Sequence, residues 1–396
     1  MKPDELEKIP FNRPLRLYES ERLLREVAVS GSQAGGGPFG KLCEEFLSRY
    51  YGSPTLLTSS ATAALEMCAL LLNVQPGDEV ILPSFTFVST ATSFRLRGAT
   101  LRFADVDASG NILPSEISRL LSEKTKAVVV VHYGGTSADM KAIEKTLSGH
   151  TCSLVEDAAQ AIGARFQGRL LGTFGHLSCL SFHETKNIGC GEGGALLLND
   201  RSLLARAKIL RDKGTNREQL LEGLVDKYSW VDLGSSWTLS EFNAAYLLPQ
   251  LHAINQIQAR REQIWRLYWA GLNDELERLG ARILRPTPSQ QSNFHLFGIV
   301  FAREEQQKSL LRFLREVGIS ATFHYQPLHS SPFAQVEHIP PMETLPGVDC
   351  LATRLVRLPL FYDMTDAECA RTTDAVKTWI CSLENANHTS SLNDTP

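Results

Sequence analysis

The sequence lacks several features that would each place the protein in a particular class. It has no surplus of basic residues, since 40 Lys plus Arg stand against 44 Asp plus Glu for a net charge of −4. Proteins that bind nucleic acids have a surplus of basic residues, so we expect no nucleic-acid partner. No apolar run reaches the roughly 18 residues of a membrane helix, and residues 1–10 carry charges instead of the apolar core of a signal peptide. We therefore expect a cytoplasmic protein without a membrane partner.

Paired cysteines are also missing. The eight cysteines are scattered and form no C-x-x-C pair, so we expect buried, reduced thiols. His176, Cys179 and His183 carry side chains that can bind metals and lie close together in sequence. Because they fall on a predicted strand, few of them could converge on one ion, and we expect no metal site.

What is present predicts a large α/β domain with a smaller one after it, because 396 residues exceed one typical core. From about Gly40 to Asn199, helical stretches alternate with short apolar runs, a pattern typical of parallel βαβ units. Helices are predicted at Ala61–Leu72, Thr86–Arg97 and Ser115–Leu121. We predict one buried sheet with strands at Glu79–Leu82, Leu101–Asp105, Ala127–His132, Ser153–Asp157, Leu177–Phe182 and Gly194–Leu198.

The pattern changes in the second half of the chain. One long helix is predicted from Ser240 past Trp269, followed by a strand at Phe294–Phe301 and helices at Glu304–Val317 and Thr365–Leu383. We therefore predict a large domain with an N-terminal arm over residues 1–250. A small C-terminal α+β domain with its linking helix would cover residues 251–383. Residues 384–396 are polar and aperiodic, and we expect them to form a mobile tail.

Lys186 is the sharpest candidate for chemistry. It follows a predicted strand and precedes the glycine-rich run Gly189–Gly194. Open α/β sheets bind ligands at the carboxyl ends of their strands, and a partly desolvated lysine there has the lowered pKa that covalent amine chemistry needs. The alternative is a solvated loop lysine. The glycine run matches G-x-G-x-x-G but precedes a strand, so its context excludes a dinucleotide site and favours flexibility beside the lysine.

Asp157 ends another predicted strand and is followed by Ala158 and Ala159, which would let a flat ring approach closely. Its carboxylate could pair with a protonated pyridine nitrogen, or it could cap a following helix. Residues 59–64 open a helix whose N–H groups could bind phosphate, although capping explains their hydroxyls equally well. Phe85 and Phe87 could stack on a ring or pack in the core.

These residues resemble the DegT/DnrJ/EryC1/StrS family of sugar aminotransferases over nearly the whole chain. The resemblance is carried by residues 83–90, 155–160 and 181–187, and further by residues 213–217 and 323–329. Within the family these motifs are most similar to the members that form dTDP-4-amino-4,6-dideoxygalactose. The resemblance implies a type I pyridoxal 5′-phosphate (PLP) fold, a homodimer with shared active sites, and L-glutamate and a nucleotide-linked keto-sugar as substrates.

The resemblance also implies roles for individual residues. Lys186 would bind the cofactor covalently and move the substrate proton, while Asp157 would hold the pyridine nitrogen. Further cofactor contacts would come from Gln160 at the phenolate oxygen, Ala61, Thr62 and Ser181 at the phosphate, and Phe87 on the ring face. His183, His329 and Tyr325 would lie at the substrate.

One segment departs from the family pattern. Many relatives have Gly-x-Asn-x-Arg, whose Asn reaches the phosphate of the neighbouring subunit, whereas residues 234–238 place Ser236 at the Asn position. A hydroxyl could still donate to that phosphate.

The function that the resemblance implies is transfer of an amino group to C4 of a 4-keto-6-deoxy sugar. The alternatives are another nucleotide-sugar aminotransferase, a dehydratase of the same fold, which Lys186 disfavours because such members carry histidine there, and a non-catalytic PLP- or sugar-binding regulator.

Overall fold

The structure, a computed structural model, describes residues 7–339 and 344–393, with side chains described as far as residue 383. The strands are β1 Thr55–Thr58, β2 Glu79–Pro83, β3 Thr100–Ala104, β4 Thr125–Val131, β5 Ser153–Asp157, β6 Arg165–Phe166, β7 Arg169–Leu170, β8 Leu177–Ser181, β9 Gly194–Leu198, β10 Arg282–Ile283, β11 Gln290–Gln291, β12 Phe297–Val300 and β13 Leu355–Leu358.

Helices cover both faces of the large sheet and build much of the small domain. They are α1 Tyr18–Ser30, α2 Pro38–Tyr51, α3 Ala61–Leu71, α4 Val88–Arg95, α5 Pro114–Leu120, α6 Met140–Leu147, α7 Leu204–Arg211, α8 Arg217–Leu221, α9 Glu241–His252, α10 Ile254–Arg278, α11 Glu304–Glu316, α12 Pro332–Val336, α13 Pro346–Arg354 and α14 Asp366–Asn393.

The large domain is built on a seven-stranded sheet in the order β1-β9-β8-β5-β4-β2-β3. Only β9 runs antiparallel to its neighbours. Alternate side chains enter different cores: Val128 and Val130 of β4 pack on one face, and Ala127 and Val129 on the other. Burial on both faces explains why these strands are continuous apolar runs in the sequence. All six predicted strands lie in this sheet, with small shifts at their ends.

A buried carboxylate fixes the end of β5. Glu156 accepts hydrogen bonds from three backbone N–H groups of residues 172–175, at 2.6 to 2.7 Å, and its Oε2 lies 2.8 Å from His132 Nε2. Its side chain is fully buried, so these contacts replace the water that the charge loses. Because neighbouring residues of a strand point to opposite faces, Asp157 is directed the other way.

The helix predicted as continuous from Ser240 is two helices, because the chain leaves helical geometry at Ala253 (φ −90°, ψ 9°). The change of direction follows from packing: α9 lies on α1 and α2 in the large domain, whereas α10 lies on α14 in the small one. The small domain has its own core around an antiparallel sheet in the order β10-β12-β13. The predicted fold class, a mainly parallel α/β domain with a smaller C-terminal α+β domain, is confirmed.

Two chain segments differ from the predicted division. Ile9 of the arm forms a parallel bridge with Ile319 and packs in the small-domain core, because both of its backbone hydrogen bonds are made there. The last helix, α14, continues past the predicted end at Leu383 to Asn393. A packed helix extends at little cost because each added residue needs no new nucleus. Of the predicted tail, residues 394–396 lie outside the described residues.

Two further findings concern the described residues only. None of their helices combines the length and apolar character needed to cross a membrane. Among the same residues, no three His, Cys, Asp or Glu side chains are grouped so that they could hold a metal ion, and His176 instead accepts a hydrogen bond from the Leu154 N–H through Nδ1.

Candidate active site

A cavity of about 590 Å³ lies at the carboxyl ends of the parallel strands, a size suited to a cofactor with part of a substrate. The ends of β4, β5 and β8 form its floor, the first residues of α3 and the residues before α4 form one wall, and the small domain contributes β13. The N-terminal arm completes it, since Phe11 and Asn12 also line the cavity. The large domain, the small domain and the N-terminal arm therefore all contribute to the site.

Lys186 lies in the loop between β8 and β9, where its N–H donates to the carbonyl of His183 at 2.9 Å and closes a turn. The side chain lines the cavity. Burial lowers the pKa of its amine; Asp157 opposes this shift and the Arg357 cation adds to it. A lowered pKa increases the fraction of neutral amine, which is the nucleophilic form. The structure places Lys186 where the sequence predicted and does not leave it as a solvated loop residue.

Asp157 presents a fixed carboxylate to the same cavity and is almost fully buried. Thr90 Oγ1 donates to Oδ2 at 2.7 Å, and the Ala159 N–H donates to Oδ1 at 3.1 Å. No helix begins after β5 in the described chain, where residues 158–163 form turns, so the helix-cap alternative does not hold. The contacts leave a rigid negative charge at the end of the strand, suited to pairing with a cationic ring nitrogen.

A hydrogen bond joins the Gln160 and Tyr325 side chains in the cavity. The Gln160 amide accepts from the Gly134 N–H at 2.7 Å and donates to the Tyr325 hydroxyl at 2.7 Å. The Tyr325 ring lies 5.6 Å from the Phe85 ring, and burial raises the pKa of its phenol. Both side chains line the cavity and stay neutral. They can therefore offer hydrogen bonds without adding charge.

The first turn of α3 forms one end of the cavity, lined by Ala61 and Thr62. The first N–H groups of a helix lack intrahelical partners and attract anions. Ser60 Oγ accepts one of them, from Ala63, and Thr62 Oγ1 lies 2.7 Å from Ser89 Oγ. Gly194 makes this arrangement possible, because a Cβ there would lie 2.4 Å from the Ala61 nitrogen. This glycine therefore serves close packing and not flexibility.

Comparison with known proteins agrees with this geometry. The model of the DegT/DnrJ/EryC1/StrS aminotransferase family matches residues 18–377. The chain belongs to this family. Its fold is that of the type I PLP-dependent transferases, with the large mainly parallel sheet and the smaller C-terminal domain described above.

Solved structures of aminotransferases are similar over almost the whole chain. TlmJ from Streptoalloteichus hindustanus is 29% identical, with a TM-score of 0.87 over 95% of this chain and 100% of that one. DesV of S. venezuelae is 29% identical, with a TM-score of 0.85 over 95% and 99%. Helicobacter pylori PseC, an aminotransferase of pseudoaminic acid biosynthesis, is 25% identical, with a TM-score of 0.84 over 95% and 100%.

The residues of the cavity fit PLP, the cofactor of the type I PLP-dependent transferases. An amine of lowered pKa can link to its aldehyde, a carboxylate can pair with its ring nitrogen, and the start of α3 with the Ser181 hydroxyl can hold its phosphate. Ser181 is buried at the end of β8 and lines the cavity. This donor set matches each polar part of the cofactor.

Phe87 and His183 also line the cavity, as predicted for contacts with the ring and the substrate. The helix predicted from Thr86 begins instead at Val88, because Phe87 is extended (φ −70°, ψ 144°). This backbone leaves its ring 58% exposed beside the cavity. His183 Nδ1 lies 2.8 Å from Thr185 Oγ1, and its Nε2 lies 3.6 Å from Glu192.

His329 is a correction, since it does not line the cavity. Its Nδ1 lies 2.7 Å from Ser84 Oγ and its Nε2 lies 3.7 Å from Asp349. After Pro327 the chain lies against the end of β2, because the Leu328 N–H donates to the Ser84 carbonyl, and this contact holds the imidazole outside the cavity.

Ser236 also lies outside the cavity of its own chain. It is exposed and forms a bridge with Asp212.

The cavity residues that the sequence analysis did not assign to the site include His295, His324 and Arg357. His295 follows the bend at Phe294 (φ 52°), and its Nδ1 lies 2.8 Å from Asn187 Oδ1. Arg357 lies on the four-residue strand β13, which the sequence analysis did not predict. Its position in an otherwise apolar strand was the only sequence signal.

Proposed function

We propose that the enzyme transfers an amino group from L-glutamate to C4 of dTDP-4-keto-6-deoxyglucose, giving dTDP-4-amino-4,6-dideoxygalactose. The observation that carries the amino transfer is the presence of the Lys186 amine and the Asp157 carboxylate in one cavity at the strand ends. The choice of sugar is supported by the motifs at residues 83–90, 155–160 and 323–329, which are most similar to members with that product.

The proposed roles of the cavity residues are cofactor binding and proton transfer. When bound, PLP supplies an electron sink for the carbon from which a proton is removed. Lys186 Nζ would hold the cofactor, and its freed amine would take the proton from the donor carbon and return one to the sugar carbon. The Asp157 carboxylate, held by Thr90, would pair with the ring nitrogen, and Phe87 would cover the ring face.

Neutral polar side chains around the cavity support a sugar as the acceptor. Gln160, Tyr325 and His324 line it, and burial lowers the pKa of His324 and raises that of Tyr325. These groups therefore hydrogen-bond without charge, which suits the hydroxyl and keto oxygens of a sugar. His183 also lines the cavity and is partly exposed, so it can contact the sugar as well.

A homodimer is part of the proposal because one segment exposes a run of large apolar side chains before Ser236. Each has 48% to 79% of its surface exposed, which is unusual for a monomer surface. A second copy covering this patch would place Ser236 at the interface, where its hydroxyl could reach the partner's cofactor phosphate. The patch consists of Leu221, Leu224, Tyr228, Trp230, Val231 and Leu233.

The dimer can be tested by placing a charge in the patch. Trp230→Glu should lower the mass in solution from twice 43.9 kDa toward 43.9 kDa, measured by light scattering, because a buried carboxylate without a partner opposes association. Val336→Glu, at an exposed position of α12 outside the patch, is the control and should leave the mass unchanged. A wild-type protein of 43.9 kDa would contradict the proposed dimer.

The reaction itself is tested by absorbance in two steps. L-glutamate should bleach the band near ~410–420 nm of the lysine-linked cofactor, and dTDP-4-keto-6-deoxyglucose should restore it. The corresponding dTDP sugar without the 4-keto group is the control acceptor and should restore nothing. A band restored only by a different keto-sugar nucleotide would support another nucleotide-sugar aminotransferase of the family. A band that no donor bleaches would favour the non-catalytic regulator.

We place the reaction in the cytoplasm. All eight cysteines are free, which suits a reducing compartment. Measuring the enzyme in cytoplasmic and extracellular fractions of the source cells would test this.

A further inference from the structure

His295 lines the cavity, but the proposed reaction gives it no role. It lies between β11 and β12, directly after the bend at Phe294. The buried Arg261 holds this bend, because its Nε donates to the Phe294 carbonyl at 3.1 Å and its Nη2 donates to the His295 carbonyl at 2.7 Å. A guanidinium bonded to two consecutive carbonyls leaves the backbone little freedom. The imidazole is therefore presented to the cavity from a fixed backbone.

Asn187 determines which ring nitrogen of His295 carries the hydrogen. Its Nδ2 donates to the Asn293 carbonyl at 2.8 Å, and because a carbonyl can only accept, the Asn187 amide has one possible orientation. Its Oδ1 lies 2.8 Å from His295 Nδ1 and can itself only accept, so Nδ1 must donate. In a neutral imidazole the other nitrogen is then an acceptor. The lone pair of His295 Nε2 is therefore available for a hydrogen bond.

The His295 ring is uncharged, and the protein leaves Nε2 unbonded. Burial is the main cause of a His295 pKa far below the usual range, and the Lys186, Arg261 and Arg357 cations lower it further. The ring is therefore neutral near pH 7. Nε2 makes no hydrogen bond to residues 7–339 or 344–383 and is not sealed from solvent. An acceptor held in this way is suited to a proton donor of a bound molecule.

The two proposed substrates differ in what they can offer to this acceptor. L-glutamate carries two carboxylates, which only accept hydrogen bonds, and its one proton-donating group is the amine that reacts. The keto-sugar carries hydroxyl groups, which can donate. A fixed acceptor in the cavity therefore fits the sugar and not the amino donor.

The position of His295 indicates which hydroxyl of the sugar it meets. Asn187, which holds the ring, is the residue after Lys186, and Lys186 is the first of the charges that lower the His295 pKa. The ring is therefore near the amine that acts at the reacting carbon. In a 4-keto-6-deoxy sugar, C4 is bonded to C3, which carries a hydroxyl, and to C5, which carries the methyl group. The C3 hydroxyl is thus the one hydroxyl on a carbon next to C4.

We propose that His295 Nε2 accepts a hydrogen bond from the C3 hydroxyl of the keto-sugar and thereby orients C4 toward Lys186. The assignment rests on the proposed function and adds to it a residue that selects the acceptor sugar. The ring transfers no proton, because it stays neutral and binds the hydroxyl only through its lone pair.

Nitrogen NMR of protein labelled with ¹⁵N-histidine tests the acceptor directly. The His295 signals are assigned by their absence from His295→Gln. Near pH 7, Nδ1 should have the shift of a protonated nitrogen and Nε2 that of an unprotonated one. Adding dTDP-4-keto-6-deoxyglucose to PLP-loaded enzyme without an amino donor should move the Nε2 signal more than the Nδ1 signal. A protonated Nε2 in the wild type would overturn the assignment.

A sugar without the C3 hydroxyl tests the contact by kinetics. On enzyme loaded with pyridoxamine phosphate, the 3-deoxy analogue should react with a kcat/KM about 10- to 100-fold below that of dTDP-4-keto-6-deoxyglucose, because a buried acceptor is left unpaired. In His295→Phe, which has no acceptor, the two sugars should differ by less than about threefold. His295→Gln offers an amide oxygen instead and should keep part of the preference.

The half-reaction with L-glutamate separates this role from general damage to the site. Glutamate does not use the contact, so its kcat/KM should fall much less in His295→Phe than that of the keto-sugar. His150→Gln, at an exposed position in the turn after α6, is the matched control and should keep wild-type kinetics and His295 signals. Equal losses for glutamate and the keto-sugar, with the preference for the C3 hydroxyl retained, would show a structural role and overturn the assignment.

The outcomes distinguish this assignment from the proposed function. A wild type that aminates both sugars equally well, or a His295→Phe that keeps the full preference, would overturn the assignment alone. A wild type that reacts with glutamate but aminates neither sugar would overturn the proposed acceptor, and the assignment with it. The comparison of sugars and the nitrogen shifts of the wild type remain decisive if His295→Phe does not fold.

Discussion

Lys186→Ala should abolish turnover, reducing it by at least ~10³-fold, and should remove the absorbance near ~410–420 nm of the lysine-linked cofactor. In the proposed mechanism this one amine has two roles: it would hold the cofactor covalently, and it would move the proton between the donor carbon and the sugar carbon. Burial is the main cause of the lowered pKa of this amine, and the lower pKa increases the neutral, nucleophilic fraction. Absorbance spectra measure the loss of the lysine-linked cofactor, and steady-state rates measure the loss of turnover.

Two further variants define the control for this prediction. Lys186→Arg keeps a positive charge but cannot form the covalent link, so it should be as inactive as the alanine variant. Lys308→Ala removes an exposed lysine of α11 that pairs with Glu304 and does not line the cavity, and it should keep wild-type rates. Unfolding midpoints near that of the wild type would show an intact fold. Turnover retained in Lys186→Ala would refute the mechanism.

Asp157→Asn should slow turnover by about 10²- to 10⁴-fold while keeping part of the cofactor binding. The amide oxygen can still accept the hydrogen bond from the Ala159 N–H, and the amide NH2 group can donate to Thr90 Oγ1, so the local structure should survive. It carries no negative charge, however, so the ring nitrogen would lose the partner that keeps it protonated and electron-withdrawing. Single-turnover rates with L-glutamate measure this step directly.

Asp105→Asn provides a comparison with the same chemical change at the end of another strand. Asp105 follows β3 and accepts hydrogen bonds from the N–H groups of Gly347 and Val348, outside the cavity. It should affect stability more than the rate. If Asp157→Asn reacted as fast as Asp105→Asn, Asp157 would have only a structural role.

The sequence predicted the large sheet well because its strands are buried on both faces. A run such as residues 127–131 is apolar throughout, whichever core each side chain enters. The strands that were missed are short: β1 and β13 have four residues each, β6, β7, β10 and β11 have two each, and β13 includes the charged Arg357. Short strands of this kind are defined by their partners in the sheet and not by a local pattern.

The structure brings the predicted site residues into one cavity where their position in the fold follows from the local sequence. Lys186 and Asp157 each follow an apolar run, and strand ends converge on one edge of the sheet. Arg357 and His295 reach the cavity only because the small domain packs against that edge, a long-range contact without a local signal. His329, which the resemblance placed at the substrate, lies outside the cavity because the turn after Pro327 directs its ring to Ser84.

The N-terminal arm makes the two ends of the chain unequal as attachment points in protein engineering. Asn12 donates to the Glu184 carbonyl two residues before Lys186, Phe11 covers Arg357, and Arg13 pairs with Glu368 of α14. A bulky affinity tag or surface tether fused at the N-terminal end would pull on a wall of the cavity. The same group fused after α14, which does not line the cavity, would leave it undisturbed. Biocatalyst immobilisation should therefore use the C-terminal side.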